Sequence, residues 1–181
     1  KRFLKVYPAH KDLGYVYYLL SICYYEQIVD EKKDLESIEN SKKIFLSIIN
    51  KYPNSEFAID AEFKLNLIND MLAAKEMYVG RYYVDRKKWI AAINRFKFVI
   101  DNYDTTIYVE EALHRLVEIN YKLGLEKESQ KYANILGYNY LSSEWYKKSY
   151  KVFNKNYKLK LKNTIKKDKK GVISKFKKLF N

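Results

Sequence analysis

The chain has 181 residues, 48% of them hydrophobic, with only 5 glycines and 2 prolines. That length suits one domain or a short repeat array; the apolar content excludes a disordered chain, and scarce Gly and Pro favour long helices over turn-rich sheet folds. The formal net charge of +13 is uneven: residues 1–146 balance 21 Lys+Arg against 21 Asp+Glu, while residues 147–181 set 14 lysines against Asp168 alone, a basic tail on a neutral body.

Read in chain order, Val6-Tyr7-Pro8 looks like the tail of an earlier unit, and His10 belongs to a turn. A helix is predicted over 11–29; its apolar-aromatic run Tyr15 to Tyr25 is too short to span a bilayer. Cys23 lies in that run as an expected small buried hydrophobe, and as the single cysteine it excludes an internal disulfide. The polar stretch Asp30 to Asn40 reads as a loop insertion, which costs little. The stripe Ile44, Phe45, Ile48 and Ile49 predicts a helix over 38–51, and Asn54-Ser55 after Pro53 supplies the next N-cap. Further helices are predicted over 56–87, over 89–102 from the stripe Trp89, Ile93, Phe96 and Ile100, and over 107–123, where Gly124 stops the helix. The last two are predicted over 126–138 and 143–160.

Phe45 to Ala61 and Phe96 to Ala112 repeat one pattern 51 residues apart: a helix closes, turns on Tyr-Pro or Tyr-Asp, caps with Ser or Thr, and a new helix opens. A fragment follows at Tyr140. The tetratricopeptide pattern places a Gly and a Tyr on the first helix and an Ala and a Phe on the second within 34 residues. Gly80, Tyr83, Ala92 and Phe96 match it outright, small residues letting paired helices approach and aromatics filling the gap. An earlier unit takes Tyr17, Leu20, Ser21 and Tyr24 on its first helix and Ser41, Phe45 and Pro53 around its second. The last unit, Glu110 to Ser143, is degenerate. In the middle unit, aligning from the two ends puts the glycine position at Asn66 or at Gly80, a difference of 14 residues, or about four helical turns. Whole extra turns lengthen a helix without rotating its apolar face. One helix of about 45 Å is therefore expected, with a break near Leu72 to Lys75 as the alternative. The fold class is thus all-α, a tetratricopeptide-like helical-hairpin solenoid with one lengthened central helix, residues 1–160, followed by a basic tail, 161–181. Solenoids of this kind bind partners rather than perform chemistry.

The search for chemistry is short. Glu111 and His114 have E-x-x-H spacing, but a di-iron bundle needs two such motifs plus two further carboxylates, and no second copy exists. There is no Gly-rich phosphate loop, no nucleophile elbow and no Cys/His metal spacing. No catalytic residue, metal or cofactor is expected, and the chain reads as a non-enzyme. In the tail, Val172, Ile173, Phe176, Leu179 and Phe180 fall at i, i+1, i+4, i+7 and i+8 with lysines opposite, a basic amphipathic pattern. It suits an anionic membrane or a partner's groove, or serves only to solubilise; interleaved stacking aromatics for nucleic acid are lacking.

The run Leu67 to Phe96, above all K-E-M-Y-V-G-R-Y-Y, resembles the BamD family, lipoproteins of the outer-membrane β-barrel assembly machinery. Y-P-N-S-E-F-A-I-D-A, V-E-E-A-L-H-R-L-V-E and L-G-Y-N-Y-L-S-S-E-W-Y fit the same family, so the resemblance covers about residues 1–150. It implies a periplasmic scaffold tethered to the outer membrane by an N-terminal lipid, binding the periplasmic domains of BamA and receiving unfolded outer-membrane proteins. Clients are associated with the family's N-terminal half and BamA with its C-terminal repeats. The matching positions are Asn94, Arg95 and Arg115, with Tyr82 and Tyr83 from the specific block; Arg95 is the first choice for a partner contact. The lipidated cysteine and first repeat are expected upstream of Lys1, and the lysine-rich tail lies outside the family motif. A generic periplasmic tetratricopeptide adaptor is the competing reading.

Overall fold

The computed structural model describes residues 1–30 and 35–153. Every regular element among them is a helix: α1 (Arg2–Val6), α2 (Leu13–Tyr25), α3 (Leu35–Lys51), α4 (Glu56–Asp85), α5 (Trp89–Asn102), α6 (Val109–Lys122), α7 (Glu126–Asn139) and α8 (Glu144–Phe153). They form two compact units, Lys1–Val109 and the residues from Glu110 onward. The amphipathic tail positions Val172, Ile173, Phe176, Leu179 and Phe180 lie outside the described residues, as does part of the Asp30 to Asn40 insertion.

The repeated Tyr turn is a repeated hydrogen-bond device. In the first copy the Tyr52 amide donates to the Ile48 carbonyl at 2.8 Å, and the Ser55 hydroxyl donates to the Tyr52 carbonyl at 2.7 Å. In the second the Tyr103 amide donates to Val99 at 2.9 Å, and the Thr106 hydroxyl to the Tyr103 carbonyl at 2.7 Å. Each hydroxyl thereby adds a second bond to a carbonyl past the helix end that also accepts from the amide of the same residue, Ser55 at 3.0 Å and Thr106 at 3.1 Å. Ser55 also accepts from the Ala58 amide at 3.2 Å, the N-cap bond that starts α4. At Tyr140 the amide again donates back, to Leu136 at 2.9 Å, but the Ser143 hydroxyl turns instead to Glu110 and accepts from the Trp145 amide.

In the first unit α2, α3, α4 and α5 pack in succession. Ile38, Phe45 and Ile48 of α3, Ala61, Ile68, Ala73 and Met77 of α4, and Ala92, Phe96 and Val99 of α5 are fully buried. Burying one such large side chain contributes about 1.5–3 kcal/mol. The lengthened helix α4 is a single uninterrupted element of 30 residues. Gly80 faces Phe96 so closely that an added Cβ would stand 2.5 Å from the ring. The motif's small and aromatic residues are therefore the physical contact between α4 and α5.

Three expectations are corrected. Cys23 is exposed, not buried. The inward phase of α2 is set by Ser21, whose carbonyl accepts from the buried Ser41 hydroxyl at 3.3 Å; Cys23, two residues on, is turned about 200° away. The helix bounds differ as well: the helix predicted over 11–29 is α2, Leu13–Tyr25, ending where the Glu26 amide donates back to Ile22, and α3 begins at Leu35 rather than 38.

The second unit packs Leu113, Leu116 and Val117 of α6 with Ala133 and Leu136 of α7 in its buried core. The Ser129 hydroxyl donates to the Val117 carbonyl at 2.8 Å, pinning α7 to α6. Gly137 meets Tyr146 of α8 as Gly80 meets Phe96, with an added Cβ 2.7 Å from the ring. Gly124, at φ +76°, ends α6 as the sequence predicts. No helix of the described residues is long and apolar enough to cross a membrane.

Candidate partner-docking surface

Between α4 and α5 the chain reverses in three residues. Lys87 takes the left-handed conformation, φ 58°, and the Lys88 amide donates to the Tyr83 carbonyl at 2.9 Å. This turn brings the first turns of α5 beside the end of α4. A surface depression of about 280 Å³ results, lined by Tyr83, Ala91, Asn94, Arg95 and Phe98. Three of the five sequence-predicted partner residues therefore line one feature.

Arg95 is the charged centre of the depression. Its Nη1 donates to Oε2 of Glu76 at 2.9 Å. The Glu76 side chain is only 11% exposed, whereas the Arg95 side chain is 44% exposed, so the ion pair anchors one edge of the guanidinium and leaves the rest facing solvent. A planar fork held in this way is prepared for a carboxylate or carbonyl supplied from outside. Asn94 beside it is exposed and adds an amide with both donor and acceptor. Phe98, 44% exposed, gives the depression an apolar floor element and contacts Tyr103 edge-on at 5.9 Å. Burial, with help from Glu76 and Glu39, pushes the Tyr103 hydroxyl above the usual tyrosine range.

Tyr82 does not line the depression; it meets Tyr83 edge-to-face at 5.7 Å and carries the Arg86 guanidinium over its ring at 4.5 Å. Tyr78, one turn earlier, is 50% exposed and extends this aromatic row along α4. Sequence reasoning does not single out Glu76, Tyr78 or Phe98. The i, i+4 spacing of Tyr78 and Tyr82 is the available signal for the row; nothing local pairs Glu76 with Arg95, 19 residues away.

Arg115 belongs to α6 of the second unit and is engaged there. Its Nε donates to Glu111 at 3.3 Å and its Nη1 to Glu118 at 3.0 Å, and its guanidinium lies 5.8 Å from the Trp145 ring centroid. The E-x-x-H pair is divided between different partners. Glu111 bonds Arg115, while buried His114 meets the Ser149 hydroxyl through Nδ1 at 2.8 Å and Glu118 through Nε2 at 3.5 Å. The His114 contact and Arg115 together hold the Glu118 carboxyl below its usual range. Among the described residues no three His, Cys, Asp or Glu side chains converge as a metal site would require.

Residues 1–136 match the sequence profile of the YfiO family, described as outer membrane lipoprotein. The chain belongs to that family. Its relatives include proteins named outer membrane protein assembly factor BamD. That of Rickettsia prowazekii (strain Madrid E) is 48% identical over 155 residues, covering 86% of this chain and 61% of the relative. That of Caulobacter vibrioides is 41% identical over 155 residues, covering 86% and 51%. That of Neisseria gonorrhoeae is 31% identical over 132 residues, covering 67% and 49%. The chain thus spans about half to three-fifths of the length of these YfiO-family relatives. Membership associates it with the outer membrane and with a tetratricopeptide-like helical fold, in agreement with the helical pairs described above.

Proposed function

We propose that the chain is part of a non-catalytic scaffold subunit of the outer-membrane β-barrel assembly machinery. In this reading it works at the periplasmic face of the outer membrane, held there by an N-terminal lipid, and assists insertion of unfolded outer-membrane proteins. Its main partner is the set of periplasmic domains of BamA, which docks at the depression between α4 and α5. The observation that carries the reading is Arg95: a half-exposed guanidinium anchored by an almost buried carboxylate, in a depression with Asn94, Tyr83 and Phe98. Taking the Glu76 carboxylate largely out of water is costly, and its short ion pair with Arg95 offsets that cost and fixes the guanidinium in place. The names of the relatives support the same assembly role.

The test is binding of the full chain to purified BamA periplasmic domains, by calorimetry. Ala91→Trp fills the depression and leaves the Arg95–Glu76 pair in place. Arg95→Ala removes the anchored charge, with circular dichroism as the check on folding. An anchor of the hot-spot class contributes about 2 kcal/mol, so each variant is expected to weaken binding roughly 30-fold. Equal affinity for wild type and both variants would remove the depression from the interface, and no binding by the wild type would remove BamA as the partner.

A further inference from the structure

The turn between α4 and α5 concentrates positive charge in an otherwise balanced body. Residues 81–88 carry Arg81, Arg86, Lys87 and Lys88 against Asp85 alone. Arg86, Lys87 and Lys88 are consecutive and exposed. The turn between α3 and α4 in the same unit instead sets Lys51 against Glu56. Apolar groups flank the basic turn: Tyr82 is 45% exposed and Ile90 69%. The Arg86 guanidinium lies over the Tyr82 ring at 4.5 Å, so cation and ring share one tip of the helix pair.

The local backbone does not call for these lysines. Among the described residues Lys87 alone, at 58°, is a non-glycine with positive φ, a conformation that glycine adopts without strain. Lys88 is the N-cap of α5 and makes no side-chain cap bond, where Ser, Asp or Asn would satisfy one of the first amides. The helix dipoles do not require cations either. The partial negative charge that ends α4 stands beside the partial positive charge that opens α5, and the two largely cancel. Lysine is thus held at two positions against the preference of the turn. Strain kept at an exposed site is accounted for by a contact made outside the chain.

We propose that the α4–α5 turn rests on an anionic phospholipid surface. Arg86, Lys87 and Lys88 meet the headgroups, and the Tyr82 ring and Ile90 sit at the boundary with the acyl chains. A three-residue reversal between antiparallel helices is a convex tip, which suits a plane, whereas a bound peptide is held in a groove or along a sheet edge. Lysine and arginine are drawn to anionic headgroups, and tyrosine is favoured at the same interface. The family's association with the outer membrane supplies such a surface. The three cations are separate from the lining of the Arg95 depression, so the proposal does not rest on BamA docking there.

The test is insertion of a fluorophore at the tip of the full chain. Cys23→Ser with Ile90→Cys leaves a single thiol for an environment-sensitive label at position 90. Three labelled proteins are compared: the native turn, Lys87→Gly with Lys88→Ser, and Lys43→Ser with Lys97→Ser, which removes two exposed charges elsewhere in the unit. Vesicles of mixed phosphatidylglycerol and phosphatidylcholine are used at saturating lipid, so the lysine-rich tail, the same in all three, does not decide the comparison. The native turn should shift the label's emission to the blue. Each cation near such a surface contributes about fivefold, so the ratio of inserted to solvent-exposed label should fall roughly 25-fold in the turn variant and stay within about twofold in the control. The turn variant should also unfold in urea at a midpoint no lower than that of the native turn, because glycine and serine suit its backbone. A lower midpoint, no blue shift with the native turn, or equal loss in both variants overturns the proposal. So does an equal shift with phosphatidylcholine alone, in which charge plays no part. A shift that appears with the BamA periplasmic domains and never with vesicles overturns it in favour of a protein partner.

Discussion

Gly80→Ala adds one methyl group where an added Cβ would lie 2.5 Å from Cε1, 2.8 Å from Cζ and 3.0 Å from Cδ1 of Phe96. Two effects oppose each other. Alanine in the interior of α4 is favoured over glycine by about 1 kcal/mol. Overpacking a closed contact costs about 1–3 kcal/mol. Phe96 is fully buried, so its ring has no solvent to move into, and the helices themselves must separate. The steric term therefore prevails, and Gly80→Ala should destabilise the first unit by about 1 kcal/mol net. Urea denaturation followed by circular dichroism reads the change as a lower midpoint at unchanged slope. The decisive comparison is a double-mutant cycle with Phe96→Leu, a smaller side chain that relieves the clash. Phe96→Leu should cost clearly less in the Gly80→Ala background than beside the native glycine, a coupling of about 1–2 kcal/mol. Stabilisation by Gly80→Ala with no coupling to Phe96 would refute the close α4–α5 approach and the tetratricopeptide reading built on it.

Other consequences are open to the same measurement. Gly124→Ala meets no atom within 4 Å but is held at φ +76°, so its cost of about 1 kcal/mol should be purely conformational and independent of neighbouring substitutions. Ser55→Ala removes both the N-cap bond of α4 and the tie to the Tyr52 carbonyl, and should cost about 1–2 kcal/mol in the urea midpoint. Because the folded Glu118 carboxyl titrates below its unfolded value, its contribution is present above the ordinary carboxylate range and disappears as the pH falls through the depressed value. Stability of the wild type should therefore drop below about pH 4.5 more steeply than that of Glu118→Gln; parallel acid profiles would contradict the assignment.

Much of the fold follows from patterns that short segments carry whole. The Tyr turns are legible because a Ser or Thr three residues on can bond back to the tyrosine carbonyl, as Ser55 and Thr106 do. The continuity of α4 is legible because 14 extra residues make nearly whole turns, so Gly80 lies within about 40° of the direction of Asn66, the other candidate glycine position. The exposure of Cys23 is not legible: within Tyr15 to Tyr25 nearly every side chain is apolar or aromatic, so sequence shows no contrast between faces. The phase is set there by two small polar residues, Ser21 and Ser41, that meet only in three dimensions. The pairing of Glu76 with Arg95 is hidden for a related reason, since it joins two helices across a turn. Arg115 shows the limit from the other side. Its ion pairs with Glu111 and Glu118 sit at helical spacing and could be anticipated, but the ring of Trp145 comes from another helix.

The central claim is that the depression around Arg95 is where the assembly partner docks. Its most direct test is a photo-crosslinking amino acid placed at Asn94, exposed and on the lining, compared with one at Lys43, exposed on α3. Irradiation of the assembled machinery should give an adduct with the periplasmic domains of BamA from position 94 and none from position 43. Adducts from position 43 alone, or from neither position in a complex shown to be intact, would contradict the account.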